Sequence, residues 1–254
     1  MEKKFIQLGK FFFRYRNGLF PLVYLGLVLC TRPGTFLGSA QLDKYACALG
    51  VSLTLAGQAL RILVIGYAYI IRGGRDGKVY AESLVQTGFF AHTRNPMYVG
   101  NYLIMLGFVL LYGSLLGYIV IIPFFTLVYY AIVKNEESYL KETFGREYAA
   151  YSASVNRFIP NLKGIKHSLK QYHYDWRKVL SKEYGTIALL LSAILILLIW
   201  KDLMIFGYEQ KRGEIQVMML MFIPVFLFYG TARYLKKTGR LEREKLVTEQ
   251  ARVL

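Results

Sequence analysis

The chain has 254 residues, of which 55% are hydrophobic and 16% aromatic, whereas only 19% are charged. This composition is more apolar than that of a typical soluble domain and favours an integral membrane protein. The formal net charge of +16 does not indicate a nucleic-acid-binding protein, because the basic residues lie between apolar segments. We therefore expect membrane lipids around the chain and no nucleic-acid partner.

Six apolar segments have the composition of membrane-spanning helices, which need about 20 residues to cross a hydrocarbon core of about 30 Å. The first and third are short and would have to recruit flanking residues. Gly113-Ser114, between the third and the fourth, leaves room only for a tight hairpin. The sequence thus predicts an all-α integral membrane protein with about six transmembrane helices. The predicted spans are Gly18–Cys30, Tyr45–Ile71, Met97–Tyr112, Leu115–Val133, Tyr184–Trp200 and Ile215–Tyr234.

The positively charged residues are distributed as expected for a protein with both termini in the cytoplasm. Of the 32 Lys and Arg residues, 26 lie in the segments 1–17, 72–96, 134–184 and 233–254. The loops on the opposite side hold five, and Arg61 lies inside the second predicted span. Because basic residues are enriched in cytoplasmic loops, we expect a multi-pass protein whose N- and C-termini are both cytoplasmic.

A polar segment precedes the third predicted span. It begins with a glycine-rich turn at 73–77 and ends in Arg94-Asn95-Pro96, where proline is well tolerated in the first helical turn. We expect Asn95 to be the N-cap residue of the helix. A cap accounts for neither Arg94 nor Tyr98, so this segment is also a candidate for function.

A second polar segment follows the fourth predicted span. Glu136 and Glu137 stand at the membrane edge, where acidic residues are unfavourable if a helix ends there. Leu140 and Phe144 follow at helical spacing. We therefore expect either that the helix continues into the cytoplasm or that the glutamates meet a cation.

The two segments contain a pair of motifs in order across the predicted hairpin. The first is Leu84-Val85, Gly88, Arg94-Asn95-Pro96-x-Tyr98-x-Gly100, and the second is Glu136-Glu137, Leu140, Phe144-Gly145, Tyr148, Tyr151, Val155, Arg157 and Pro160. Together they resemble the isoprenylcysteine carboxyl methyltransferase and phospholipid methyltransferase superfamily, integral-membrane enzymes that use S-adenosylmethionine. Each motif alone is weak, whereas the two in order are specific.

The resemblance implies a cytoplasmic pocket for S-adenosylmethionine and methyl transfer to an amphipathic, lipid-like or isoprenoid acceptor. It also implies the site residues. Glu136 matches a glutamate that contacts the cofactor, and its carboxylate suits the methionyl ammonium or the ribose hydroxyls. The expected cofactor-binding residues are Leu84, Val85, Phe90, Asn95, Pro96, Met97, Tyr98, Gly100 and Glu136, and the expected catalytic residues are Arg94, Tyr98, Glu137 and Arg157.

Two of these residues have alternative interpretations. The guanidinium of Arg94 suits a carboxylate, or it holds loop carbonyls in a structural role. The ring of Tyr98 suits the sulfonium cation, or it packs in the hairpin. The sequence also departs from the family pattern, because Asn95 replaces a histidine common in the isoprenylcysteine branch and Phe90 replaces a frequent tyrosine. A role that needs a titrating imidazole is therefore not expected at position 95. No residue of the sequence decides whether the methyl acceptor is a carboxylate oxygen or an amine nitrogen.

Arg61 is unusual because an arginine near the middle of a span costs about 2.5–3.5 kcal/mol on insertion scales. We expect it to contact a substrate headgroup, to form a structural pair, or to reach the interface. No metal site is expected. His92, His167 and His173 lack the spacing of metal ligands and are predicted to be solvated or interfacial.

The resemblance divides the chain into three parts. Residues 1–44 form a basic segment and the first span, 45–163 the methyltransferase core, and 164–254 an extension with two further spans and a charged, helical tail. We expect the extension to pack against the core, to shape the substrate entrance or to mediate oligomerisation; the sequence predicts no particular oligomeric state.

Two other functions compete with methyl transfer. Membrane reductases of the steroid-reductase type share a similar Arg-His-Pro-Asn-Tyr-x-Gly region and use NADPH, but they usually carry an acidic residue where this chain has Asn101, and they lack the doubled glutamate. A function as a non-enzymatic membrane scaffold or transporter would not explain either motif.

Overall fold

The computed structural model describes residues 2–67, 78–170 and 172–241. It divides into two compact units, Met1–Tyr172 and His173–Leu254. In the described part of the first unit the helices are α1 (Glu2–Cys30), α2 (Ala40–Tyr67), α3 (Pro96–Tyr112), α4 (Ile122–Ser154) and α5 (Ile165–Lys170). In that of the second they are α6 (Trp176–Ile205), α7 (Tyr208–Leu220) and α8 (Phe222–Lys237).

The predicted spans all coincide with helical parts of the chain. The sixth crosses the junction of α7 and α8 at Met221. Three predicted features lie outside the described residues: positions 68–71 of the second span, the turn at 73–77, and the tail beyond residue 241.

Four helical segments in the described ranges are long and apolar enough to cross a membrane, and α3 is a shorter apolar helix. The chain is therefore an all-α integral membrane protein, while the number of six spans stays a prediction. The four segments are Ala40–Tyr67, Gly117–Ser154, Trp176–Ile205 and Tyr208–Lys237.

Helices α2 and α3 approach each other closely through glycines. A Cβ atom added to Gly57 would lie 2.5 Å from the backbone oxygen of Gly100, and one added to Gly107 would lie 2.1 Å from Thr54 Oγ1. Both distances are far below a normal contact. Small residues at a helix crossing allow the backbones to meet, as is typical within membranes.

The turn between α3 and α4 is the tight hairpin predicted from the sequence. Gly113 has φ 71°, a left-handed conformation that suits glycine, and its N–H donates to the carbonyl of Val109. After a π-helical turn at Gly117–Ile121, α4 continues past the two glutamates, is kinked at Gly145, where φ is 50°, and ends at Ser154. The expected helical continuation into the polar region is thus confirmed.

Helix α1 packs against α4 through aromatic and aliphatic side chains. Phe12 and Phe13 form a buried cluster with Val128 and Ile132. The described helices of the first unit therefore follow one another in the order α1, α4, α3, α2. This arrangement places α1, which begins the chain, beside the part of α4 that precedes the two glutamates.

The second unit is a helical hairpin. Asp175 caps α6 by accepting a hydrogen bond from the backbone N–H of Lys178 at 2.9 Å. α6 packs on α8 through a cluster of Ala188, Leu195 and Val225.

Candidate active site

A cavity of about 620 Å³ lies within the first unit. Its volume is in the range of small-molecule sites. Three parts of the chain beyond the motif segments contribute to its lining: α1, the C-terminal part of α2 and the membrane half of α4. The lining residues are Phe13, Arg16, Asn17, Phe20, Arg61, Val79, Tyr80, Ala81, Glu82, Ser83, Leu84, Val85, Phe90, Arg94, Asn95, Pro96, Met97, Tyr98, Asn101, Tyr129, Glu136 and Leu140.

The loop before α3 is held by the chain that follows α4. The Arg94 N–H donates to the Asn156 carbonyl and the Asn161 N–H to the His92 carbonyl, both at 2.9 Å. The Thr93 hydroxyl lies 3.1 Å from the carbonyl oxygen of Phe158. These bonds fix the segment that enters α3 and so position the cavity residues that follow it.

His92 differs from the sequence expectation of a solvated or interfacial side chain. It is buried, its Nδ1 lies 2.5 Å from the Asn161 carbonyl oxygen, and its Nε2 lies 3.0 Å from Ser168 Oγ. The prediction was wrong because both hydrogen-bond partners lie more than 65 positions later in the chain. The sequence around His92 therefore gives no sign of them. The ring links the loop to α5.

Asn95 occupies the N-cap position of α3, as predicted, but its side chain does not cap the helix. The side-chain amide instead donates to the carbonyl of Arg157 at 3.1 Å. The backbone oxygen of Asn95 accepts the first bonds of the helix, from the N–H groups of Tyr98 and Val99. The asparagine thus joins the start of α3 to the segment after α4.

Tyr98 and Glu136 form a direct pair at the cavity wall. The Tyr98 hydroxyl donates to Glu136 Oε1 at 2.5 Å. Arg16 Nη1 lies 3.5 Å from the same hydroxyl. A hydrogen bond to a carboxylate is of the stronger, charge-assisted kind, so the pair holds one face of the glutamate while the rest of the carboxylate borders the cavity.

Glu137 lies between two arginines. Arg94 Nη2 is 2.8 Å from Glu137 Oε1, and Arg157 Nη2 is 2.8 Å from Glu137 Oε2. The hydrogen bond to Glu137 raises the pKa of the Arg157 guanidinium above its ordinary value. The Glu137 side chain is only 12% exposed. Glu137 therefore meets two cations on a helix that continues past it, so both expectations hold for Glu137, whereas Glu136 pairs with Tyr98.

Arg94 combines the two roles considered from the sequence. Its Nη1 donates to the Ser152 carbonyl at 2.6 Å while its Nη2 binds Glu137. Its Nε is buried and has no hydrogen-bond partner in the described structure, although the residue borders the cavity. Glu137 and Arg157 do not border the cavity.

Gly100 and Arg61 meet at the α2–α3 crossing. A Cβ atom at Gly100 would lie 2.8 Å from the Gly57 oxygen and 2.9 Å from Arg61 Cγ, so Gly100 serves helix packing and does not border the cavity. Arg61 is buried, borders the cavity, and donates from Nη1 to Asn101 Oδ1.

The structure thus brings together most of the residues predicted from the sequence. Around the cavity lie Leu84, Val85, Phe90, Arg94, Asn95, Pro96, Met97, Tyr98, Glu136 and Arg61. Their roles in cofactor binding and catalysis stay predictions. Sequence reasoning missed the contribution of α1, since a span's composition does not reveal which helix it packs against.

The fold and the cavity define an integral membrane protein with a polar site bounded by several of its helices. Residues 45–147 match the family model of phospholipid methyltransferases. The matched segment includes both glutamates and the whole loop before α3. The match of this segment to the family model agrees with the resemblance to integral-membrane methyltransferases predicted from the motifs.

One curated protein also matches the chain. The cobalt-zinc-cadmium resistance protein CzcN of Cupriavidus metallidurans is 32% identical over 114 residues. The match covers 45% of this chain and 47% of CzcN, so the chain spans about half the length of that relative. No solved structure matches the chain significantly.

Proposed function

We propose that this protein transfers a methyl group from S-adenosylmethionine to an amphipathic, lipid-like acceptor at the cytoplasmic face of the membrane. The observation that carries the proposal is the Tyr98–Glu136 pair, which borders a cavity built largely from the family segment. The cavity holds a carboxylate, a buried arginine and apolar side chains together, a combination suited to a zwitterionic cofactor.

The charged groups of the cavity fit the two ends of an amino acid. The Glu136 carboxylate can accept hydrogen bonds from an ammonium group or from ribose hydroxyls, because the Tyr98 hydroxyl occupies only one of its sides. The N–H group at Nε of Arg94, which has no partner in the described structure, can donate a hydrogen bond to a carboxylate. A buried donor without a partner is costly, so a ligand acceptor at this position stabilises the site.

The remaining lining suits the rest of the cofactor. Leu84, Val85 and Phe90 offer apolar surface for a purine ring, and the rings of Tyr98 and Tyr129 offer faces for a sulfonium cation. S-adenosylmethionine supplies an electrophilic methyl group when bound. The protein's part is to hold donor and acceptor in line and to exclude water.

The acceptor chemistry remains open between O- and N-methylation. A carboxylate attacks without losing a proton, whereas an ammonium must first be deprotonated. The distribution of basic residues supports a cytoplasmic location for the cavity and both termini, since the loop before α3 and the end of α4 belong to the positively charged side.

Calorimetric titration of the purified protein in phospholipid nanodiscs tests the proposal. We expect S-adenosylhomocysteine to bind and NADPH not to bind. Glu136→Gln should weaken S-adenosylhomocysteine binding by roughly 10- to 100-fold, because a hydrogen bond to a charged group is worth about 1.5–3 kcal/mol. Tyr98→Phe should weaken it less, since the carboxylate is retained.

Glu142→Gln is the matched control. Glu142 lies on the same helix, is exposed, and does not border the cavity. Binding of NADPH alone would favour the reductase alternative and overturn the proposal. Binding of neither compound by a folded protein would favour a scaffold or transporter.

A further inference from the structure

Helix α1 supplies a cavity wall that lies outside the family segment. Its Phe13, Arg16, Asn17 and Phe20 border the cavity, whereas the family match begins at residue 45. The wall has a cation and an amide between two aromatic rings. This is the composition of a site for an anion attached to an apolar chain.

Arg16 differs from the other cavity arginines in its partners. Arg94 is paired with Glu137, and Arg61 donates to Asn101. Arg16 contacts the Tyr98 hydroxyl at 3.5 Å and lies 4.2 Å above the ring of Phe13. In the part of the chain that the structure describes, no carboxylate lies within ion-pair distance of it. Arg16 interacts electrostatically with Glu136, which accepts from the same Tyr98 hydroxyl. It forms no direct ion pair with that carboxylate, so its remaining N–H donors can bind a ligand.

Other polar side chains border the same cavity. Arg61 and Tyr129 are among them. Asn17 and Asn101 add amide groups. A guanidinium with several free N–H donors recognises oxyanions such as phosphate and carboxylate in a planar, two-bond geometry.

We propose that Arg16 is a specificity-determining residue that binds the anionic headgroup of the methyl acceptor. The acceptor is then an amphiphile that carries a phosphate or carboxylate, whose apolar chain contacts the aromatic rings of α1. This inference rests on the proposed function, because it takes the bound anion to belong to the molecule that is methylated.

A set of matched amphiphiles tests the preference directly. Binding of dodecyl phosphate, dodecanoate and dodecylamine to the full-length protein is measured in zwitterionic phosphatidylcholine nanodiscs saturated with S-adenosylhomocysteine. We expect the wild-type protein to bind one or both anionic compounds more tightly than the amine. The stronger of the two identifies the headgroup class. Inorganic phosphate, which has no chain, should not displace them.

Variants of α1 assign the preference to Arg16. Arg16→Gln should weaken anion binding by roughly 10- to 100-fold and leave dodecylamine binding unchanged, because one charged donor is lost. Arg16→Lys should retain part of the preference, since the charge remains without the fork geometry. Arg14→Gln is the matched control, because Arg14 is exposed on the same helix and does not border the cavity.

The outcomes separate this inference from the proposed function. An anion preference that is absent in the wild type, or that survives in Arg16→Gln, overturns the role of Arg16. The role of Arg16 is also overturned if Arg16→Gln loses as much affinity for S-adenosylhomocysteine as Glu136→Gln does. That result would mean that Arg16 only supports Glu136. If the wild type does not bind S-adenosylhomocysteine, the methyltransferase proposal is refuted. The amphiphiles can then be compared in the absence of S-adenosylhomocysteine, and this comparison still tests Arg16.

Discussion

Adjacent residues of α4 have separate surroundings. Glu136 borders the cavity and accepts from Tyr98, whereas Glu137 lies between Arg94 and Arg157. Neighbouring side chains on a helix point about 100° apart, so a doubled glutamate necessarily faces two directions. The sequence predicts that both residues belong to the site, and only the structure separates the carboxylate that borders the cavity from the one that joins two arginines.

Removing the charge of Glu137 is expected to destabilise the protein. Glu137→Gln leaves two largely buried guanidinium groups without their shared carboxylate, and breaking such a pair costs about 3–5 kcal/mol. Because Arg157 is 29% exposed, solvent screening reduces this, and we expect about 2–3 kcal/mol. Thermal unfolding in detergent should show a clearly lower midpoint. Glu142→Gln serves as the control, and an unchanged midpoint for Glu137→Gln would contradict a structural role.

For Asn95, the sequence predicts the position in the helix but not the partner of the side chain. Its position at the start of α3 follows from the proline beside it, and this was predicted. The partner of its side chain is the carbonyl of Arg157, 62 positions later in the chain. No local pattern encodes that contact.

At the level of helices, the α2–α3 crossing sets the position of Arg61. Gly57 and Gly100 allow the two backbones to meet, and Arg61 then reaches Asn101 on the neighbouring helix. A buried arginine in an apolar helix is costly without such a partner. The glycines therefore contribute to the cavity indirectly, through the spacing of the helices that border it.

An alanine at Gly107 is expected to weaken this crossing. The added methyl group would meet Thr54 Oγ1 and the Gly50 carbonyl at impossible distances, and overpacking of this kind costs about 1–3 kcal/mol. The thermal midpoint should fall accordingly. Gly26→Ala in α1 is the control, because no atom lies within 4 Å of its Cβ position and alanine favours a helix. Equal midpoints for the two variants would exclude tight packing at Gly107.

For the whole molecule, the cavity is confined to the first compact unit. Its described lining residues extend from Phe13 to Leu140, whereas the second unit begins at His173. The loop and hairpin walls could be predicted because their motifs are local and ordered. The α1 wall could not, because the hydropathy of a span indicates that it crosses the membrane but not which helix becomes its neighbour.

A shortened chain of residues 1–172 is expected to retain the proposed cofactor site. S-adenosylhomocysteine should bind it with an affinity within a few fold of the full-length value, because every described lining residue is present. Calorimetry in nanodiscs, with Glu136→Gln in the same background as the negative control, measures this. Loss of binding by a shortened chain that inserts and folds would show that the second unit is needed for the site.

The pairing of α1 with α4 has a consequence for biosynthesis. α2 and α3 are consecutive helices and are synthesised one after the other. In contrast, about 120 residues separate the end of α1 from the end of α4. At about 5–20 residues per second, translation takes on the order of 10 s to cover that distance. When α1 has been made, Arg16 is present, whereas Tyr98 and the face of α4 that packs on α1 have still to be synthesised. The nascent chain therefore completes its cavity only when the fourth helix reaches the first.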